Sequence, residues 1–219
     1  LLISSLIEHA ARHHGDTEVV SRRVEGDIHR YTWADVRRRS KQVANALDAM
    51  GLKAGDRVGT LAWNGYRHLE LYFGVSGSQR VLHTINPRLL PEQIAWIVNP
   101  AEDQILCFET SFLPIVQGIH AHCKTVKHWI ALCDEDKLPK DTGIPNLMSY
   151  EAWIGKQSTD YTWPVFDENT ASSMCYTSGT TGHPKAALYS HRSTVLHAYA
   201  AALPDVMGLS ARDSALPVV

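Results

Sequence analysis

From residue 57 to 132 short apolar runs alternate with helical periodicities, and this alternation constrains the fold more than any other feature. Residues 57–63, 81–86, 104–108 and 126–132 read as buried strands. Between them 67–78, 91–98 and 111–122 read as helices, the second opened by its proline. Buried strands separated by helices are the grammar of βαβ units. The expectation is an α/β chain with a mostly parallel sheet and helices on both faces.

Ahead of this stretch, 3–14 carries Ile3, Leu6, Ile7, Ala10 and Ala11 on one helical face. A hairpin is expected over 18–24 and 28–31, around Glu25-Gly26-Asp27. Thr32 can cap the next helix, with Asp35 in its first turn, and Gly51 can stop it after Met50. Residues 1–54 are expected to belong to a neighbouring subdomain and 55–219 to an α/β subdomain. Arg37-Arg38-Arg39 fan round their helix and read as surface. Residues 134–146, charged and rich in Pro, Gly and Lys, read as a long surface loop. Strands at 172–176 and 186–189 precede a helix over 192–202.

The last two strands flank Tyr176-Thr177-Ser178-Gly179-Thr180-Thr181-Gly182-His183-Pro184-Lys185. Gly179 and Gly182 can take positive φ and let an anion approach successive backbone N–H groups. Thr177, Ser178, Thr180 and Thr181 add hydroxyls, and Lys185 adds a positive charge. A polar linker shares this composition but needs neither Tyr176 in front nor Pro184-Lys185 behind. Counted from Gly179, Lys185 falls where the lysine of GxxxxGK[ST] would, but Pro184 stands at the second glycine with no N–H to offer and Ala186 replaces the metal-binding hydroxyl. A magnesium ligand would have to come from Thr177 or Thr180. Ligands of open α/β sheets bind at the carboxyl ends of strands, where this loop lies.

The loop resembles the phosphate loop of the adenylate-forming, AMP-binding superfamily. Ala62-Trp63-Asn64 with His68–Phe73, Leu82–Leu89 and Tyr189–Thr194 resemble stretches of fatty-acyl-CoA ligases in particular. The resemblance implies the large N-terminal domain of an acyl-CoA synthetase fold, activating a carboxylic acid with ATP and Mg2+ as an acyl-adenylate, then forming the coenzyme A thioester. It implies catalytic roles for Lys185 and Thr177, nucleotide binding by Thr177, Ser178, Gly179, Thr180, Thr181, Gly182 and Lys185, and Mg2+ on Thr177. A fatty acid and a homodimeric association are the partners it implies. An aryl or other short acid, or a nucleotide-binding piece without turnover, are the alternatives. At 219 residues the chain is less than half a ligase of this kind, starts at Leu1 and stops in an apolar run. The expectation is a fragment lacking the adenine contacts, the acidic magnesium ligand, most of the acyl tunnel and the C-terminal domain.

Two departures stand out. Ala186 replaces the family's usual glycine, which would strain the chain if that position needs positive φ. Gln79-Arg80 replace small residues.

Charge points away from polyanions: 21 Lys plus Arg against 23 Asp plus Glu leave a net charge of −2. Neither nucleic acid nor an anionic membrane is an expected partner. No apolar run spans a bilayer, and the composition suits a cytoplasmic protein. Cys107, Cys123, Cys133 and Cys175 lack CxxC spacing and read as reduced core thiols. His120-Ala121-His122-Cys123 reads as a solvated helix end rather than a zinc site. Arg88 reads as part of a proline-led turn. His191 either packs at a strand end or faces the phosphate region.

Overall fold

A computed structural model describes residues 1–177 and 184–217. Its central strands are β3 (Arg57–Leu61), β4 (Val81–Thr84), β5 (Asp103–Phe108), β6 (His128–Ala131), β7 (Leu147–Ser149), β8 (Ala171–Thr177) and β9 (Lys185–Ser190). Among the described residues they form one sheet in the order β7-β6-β5-β3-β4-β8-β9. Every neighbouring pair is parallel except β8 with β9. The mostly parallel α/β sheet expected from the sequence is therefore present.

Period-two alternation sends successive side chains of each strand into two separate interiors. Val58, Leu82, Ile105, Cys107 and Ile130 face α2 (Trp33–Ala49), α3 (Tyr66–Gly77) and α6 (Tyr150–Gly155). Leu61, Leu106, Phe108, Trp129 and Ala131 face α4 (Pro91–Ala101) and α5 (Leu113–Ile119). Each fully buried Leu or Ile contributes about 1.5–3 kcal/mol. Helices cover both faces because the strands between them are apolar on both.

The N-terminal elements are α1 (Ile3–His13) and a hairpin of β1 (Glu18–Arg22) and β2 (Ile28–Thr32). Thr32 and Asp35 form a capping box: the Thr32 hydroxyl accepts from the Asp35 N–H at 3.3 Å, and the Asp35 carboxylate accepts from the Thr32 N–H at 3.2 Å. That cap is worth about 1 kcal/mol. The interior continues across residue 54. Val43, Ala46 and Leu47 of α2 share a cluster with Val58 and Leu71, while Ile7, Tyr31, Val36 and Tyr66 form a second that joins α1, the hairpin, α2 and α3.

One local expectation changes, and two elements appear that the sequence reading did not give. The helix over 111–122 is a turn of 3-10 helix at Thr110–Phe112, then α5, then a second such turn at His120–His122, because Pro114 and Gly118 interrupt a continuous ladder. Elements β7 and α6 had no legible period at three and six residues. Ser149 starts α6 by accepting from the Ala152 N–H at 3.1 Å.

Arg39 corrects the surface reading of the arginine run. It donates to Glu70 at 2.8 Å and to both Glu151 oxygens at 3.0 Å. Arg37 and Arg38 do take outward partners, Glu8 and Asp35. Glu70 is fully buried and also accepts from the Tyr150 hydroxyl at 2.8 Å. Arg67 completes the cluster with donations to Glu151, Glu25 and Asp134. This network fastens the hairpin and α6 to the carboxyl edge of the sheet.

Candidate functional site

Parallel strands bring their carboxyl ends to a single edge, and the outgoing loops collect there. On this edge β8 lies beside β4, with Leu82, His83 and Thr84 in register with Ser173, Met174 and Cys175. The chain leaves β8 at Thr177 and returns as β9 at Lys185, and those two residues are register partners. The Thr177 hydroxyl donates to the Lys185 carbonyl at 3.4 Å. The span 177–185 is thus closed at its base by strand pairing. Ser178, Gly179, Thr180, Thr181 and Gly182, expected to bind phosphate, lie outside the described residues.

Both ends of the span are solvent-exposed. Lys185 has no carboxylate partner among the described residues, so its ammonium is available to an anion. Thr177 offers a hydroxyl at the same edge. No group of three potential metal ligands from His, Cys, Asp and Glu occurs among the described residues, and a magnesium role for Thr177 rests on its hydroxyl alone. Ala186 lies in extended β9, paired with Tyr176, and is absent from the described residues with positive φ. The missing glycine therefore costs nothing in backbone strain here.

Tyr176 is half-buried and immediately precedes the exposed Thr177. Its ring lies 5.3 Å from that of His83 and 6.4 Å from that of Trp96. The segment after β4 begins at the same edge, where the Arg88 N–H donates to the Asn86 side chain at 2.9 Å, as a proline-led turn requires.

A second feature of this edge escaped the sequence reading. Helix α3 follows β3 on one face and α5 follows β5 on the other, so the chain diverges between β3 and β5 at a topological switch point. A cleft of about 20 Å³, room for one water, opens there between Trp63, Asn64 and Glu109. Glu109 is 6% exposed and its carboxyl has no hydrogen-bond partner among the described residues. Burial pushes its pKa up to about 7, against the pull of the Arg67 charge. A glutamate directly after an apolar strand, Phe108-Glu109, was the available signal. Nearby His68 is held neutral by burial, its pKa near 4, with its ring nitrogen 3.1 Å from the Thr60 hydroxyl.

His191 does not face the phosphate region. It follows β9 at the end remote from Lys185, is fully buried, and accepts at Nδ1 from the Ile3 N–H at 3.2 Å. Burial lowers its pKa to about 4. It ties α7 (His191–Ala202) to α1. At the 120–123 turn, His120 Nδ1–H donates to the Gln117 carbonyl at 2.9 Å while Cys123 is buried. Arg80, the other departure noted above, is buried and caps the end of α2 by donating to Asp48 and to the Leu52 carbonyl. Gln79 beside it takes φ of 64°.

The family profile described as "AMP-binding enzyme" matches residues 7–219. A 3-methylmercaptopropionyl-CoA ligase of Ruegeria lacuscaerulensis is 52% identical over all of this chain and 40% of its own length. A medium-chain-fatty-acid–CoA ligase of Ectopseudomonas oleovorans is 50% identical, again over 100% of this chain and 40% of the relative. The chain thus spans about two-fifths of the length of these relatives. Among solved structures, an anthranilate CoA ligase in complex with anthranoyl-AMP aligns with TM-score 0.78 at 22% identity, over 91% of this chain and 36% of that one.

Proposed function

The chain belongs to the AMP-binding enzyme family, and from that premise we propose that it forms the phosphate-gripping part of an ATP-dependent acid–CoA ligase. The observation that carries the reading is the pairing of Thr177 with an unengaged Lys185 at the carboxyl edge of a parallel sheet. A carboxylate is a poor electrophile, so thioester formation requires one of its oxygens to become a leaving group. Attack of the carboxylate on the α-phosphorus of ATP forms the acyl-adenylate and expels pyrophosphate; the CoA thiol then displaces AMP.

In that sequence Lys185 stabilises charge on the departing phosphates, and Thr177 donates its hydroxyl to a phosphate oxygen. Ser178, Gly179, Thr180, Thr181 and Gly182 supply further donors on this reading. Magnesium, when bound, neutralises charge on the triphosphate, with Thr177 as its one proposed protein contact. The relatives' names favour an aliphatic acid over an aryl acid. A homodimer and a cytoplasmic setting belong to the same reading, checked by sedimentation and cell fractionation.

Calorimetric titration of the chain with Mg-ATP tests the grip, and ATP–pyrophosphate exchange with octanoate tests turnover. Lys185→Ala is expected to weaken Mg-ATP binding by about 10- to 100-fold, the loss of one charge-assisted contact to phosphate. Binding without exchange fits a nucleotide-binding module that lacks turnover by itself. Equal Mg-ATP affinity in wild type and a folded Lys185→Ala variant removes Lys185 from the mechanism.

A further inference from the structure

His83 and Asp103 meet in the interior, and the reaction proposed above uses neither. They sit on strands that are not neighbours, since β3 runs between β4 and β5. They reach each other over Gly59 of β3, where a Cβ would stand 3.0 Å from Asp103 Oδ2. His83 Nδ1 lies 2.7 Å from Asp103 Oδ2, and both side chains are fully buried. His83 Nε2 and Asp103 Oδ1 are left without hydrogen-bond partners among the described residues. Burial raises the Asp103 pKa, and its bond to His83 works against that rise.

Such a pair is poor cement, because apolar groups of the same shape in place of both partners of a buried polar pair are often equally stable. Its location suggests another use. The His83 ring packs at 53° to the ring of Tyr176, 5.3 Å away, and Trp96 bounds the same ring edge-on. Tyr176 pairs with Ala186, one step before the Thr177–Lys185 pair that closes the base of the span. The imidazole cannot rotate without losing its carboxylate, so the tyrosine is packed against a fixed surface.

We propose that His83, held by Asp103 over Gly59, is a positioning residue that sets the ring of Tyr176 and thereby the placement of Thr177 against Lys185. The consequence for catalysis rests on the phosphate reading of that span; the placement itself does not. Displacing a binding group by about 1 Å can cost up to about 100-fold. A merely structural pair would lower stability without moving the span.

The test uses the 219-residue chain, labelled for NMR, with His83→Gln, Tyr176→Leu, Asp103→Asn and Asp103→Leu. Ser76→Ala is the control, because the Ser76 hydroxyl donates at 2.8 Å to the Ser172 carbonyl near the opposite end of β8. His83→Gln and Tyr176→Leu are expected to shift the Thr177 and Lys185 amide signals, with Ser76→Ala leaving them in place. Asp103→Asn, which keeps an acceptor for the Nδ1 proton, should hold those signals nearer to wild type than Asp103→Leu does. Affinity for magnesium pyrophosphate should fall about 10- to 100-fold in His83→Gln. Unmoved Thr177 and Lys185 signals in either His83→Gln or Tyr176→Leu, or equal movement in Ser76→Ala, overturn the proposal. If His83→Gln does not fold, Tyr176→Leu decides from the other side of the contact. Wild-type protein that ignores pyrophosphate defeats the phosphate reading, and the amide signals still decide the positioning role.

Discussion

Replacing Arg39 by methionine isolates the buried half of the ionic network, and the expected loss follows from Glu70. That carboxyl is fully buried and accepts from Arg39 at 2.8 Å and from the Tyr150 hydroxyl at 2.8 Å. With the guanidinium gone, one charge in the interior would lose an attraction of about 4 kcal/mol at an effective dielectric of 20 and 4 Å. Glu70 escapes that loss by taking a proton, as its raised pKa already foreshadows through burial. Holding a group of ordinary pKa 4.5 protonated at pH 7 costs about 3.4 kcal/mol, at about 1.36 kcal/mol per pH unit. The substitution should therefore cost at most about 3–4 kcal/mol at pH 7, the more so the more fully Arg39 keeps Glu70 ionised in the wild type, within the range for breaking a buried pair.

The sign of the pH dependence separates this from a packing defect. In Arg39→Met the folded state holds a proton that the unfolded chain releases above pH 4.5, so the penalty grows as pH rises. At pH 5 it should shrink to about 1 kcal/mol. Glu70→Gln alone should cost about 1–2 kcal/mol, because Arg39 keeps its bonds to Glu151. Adding Arg39→Met to Glu70→Gln should then cost much less than Arg39→Met does alone. Urea unfolding followed by tryptophan fluorescence at pH 7 and pH 5, with m values compared, measures all four species. A pH-independent loss below about 1 kcal/mol would refute the reasoning and return Arg39 to the worth of an exposed ion pair.

Glu109→Gln should alter the pH profile of stability. The folded pKa near 7 exceeds the unfolded value of 4.5, so wild-type stability falls as pH rises through that window, by about 3 kcal/mol in all. Urea midpoints from pH 5 to 8 should fall in wild type and stay flatter in the variant; parallel profiles contradict the assignment. Gly74→Ala places a Cβ 2.6 Å from Val43 Cβ and 2.8 Å from the Ser40 carbonyl, and should cost about 1–3 kcal/mol by forcing α3 off α2. Gly118→Ala, with nothing within 4 Å, should be neutral or stabilise by up to about 1 kcal/mol in the same denaturation assay. A chain beginning at residue 55 should lose cooperative unfolding, because Val43, Ala46 and Leu47 leave the shared interior; a sharp transition would support a division at 54.

Local chemistry and period settled much of this protein before any coordinates. Apolar runs with β-branched residues made strands β3 to β6, and their lack of a polar face already meant helices on both sides. The Thr32 and Asp35 pair starts α2 where its spacing says it should, and the glycine-hydroxyl-lysine run stands out from a polar linker by its fixed flanks, Tyr176 and Pro184-Lys185. Each of these depends on residues a few positions apart, so each is legible in sequence.

Tertiary structure decided whatever depends on distant residues meeting. Arg39 reads as one of three solvated arginines until α6 brings Glu151 to it across 112 positions. His191 sits close in sequence to the candidate loop, yet an antiparallel return carries it to the far end of β9 and into contact with Ile3, 188 positions away. His83 and Asp103 are 20 apart and become partners because Gly59, between them in space, leaves the gap. The physical reason is common to all three: a charge or ring takes its role from the dielectric and the partners around it, and those are assembled only when the sheet closes.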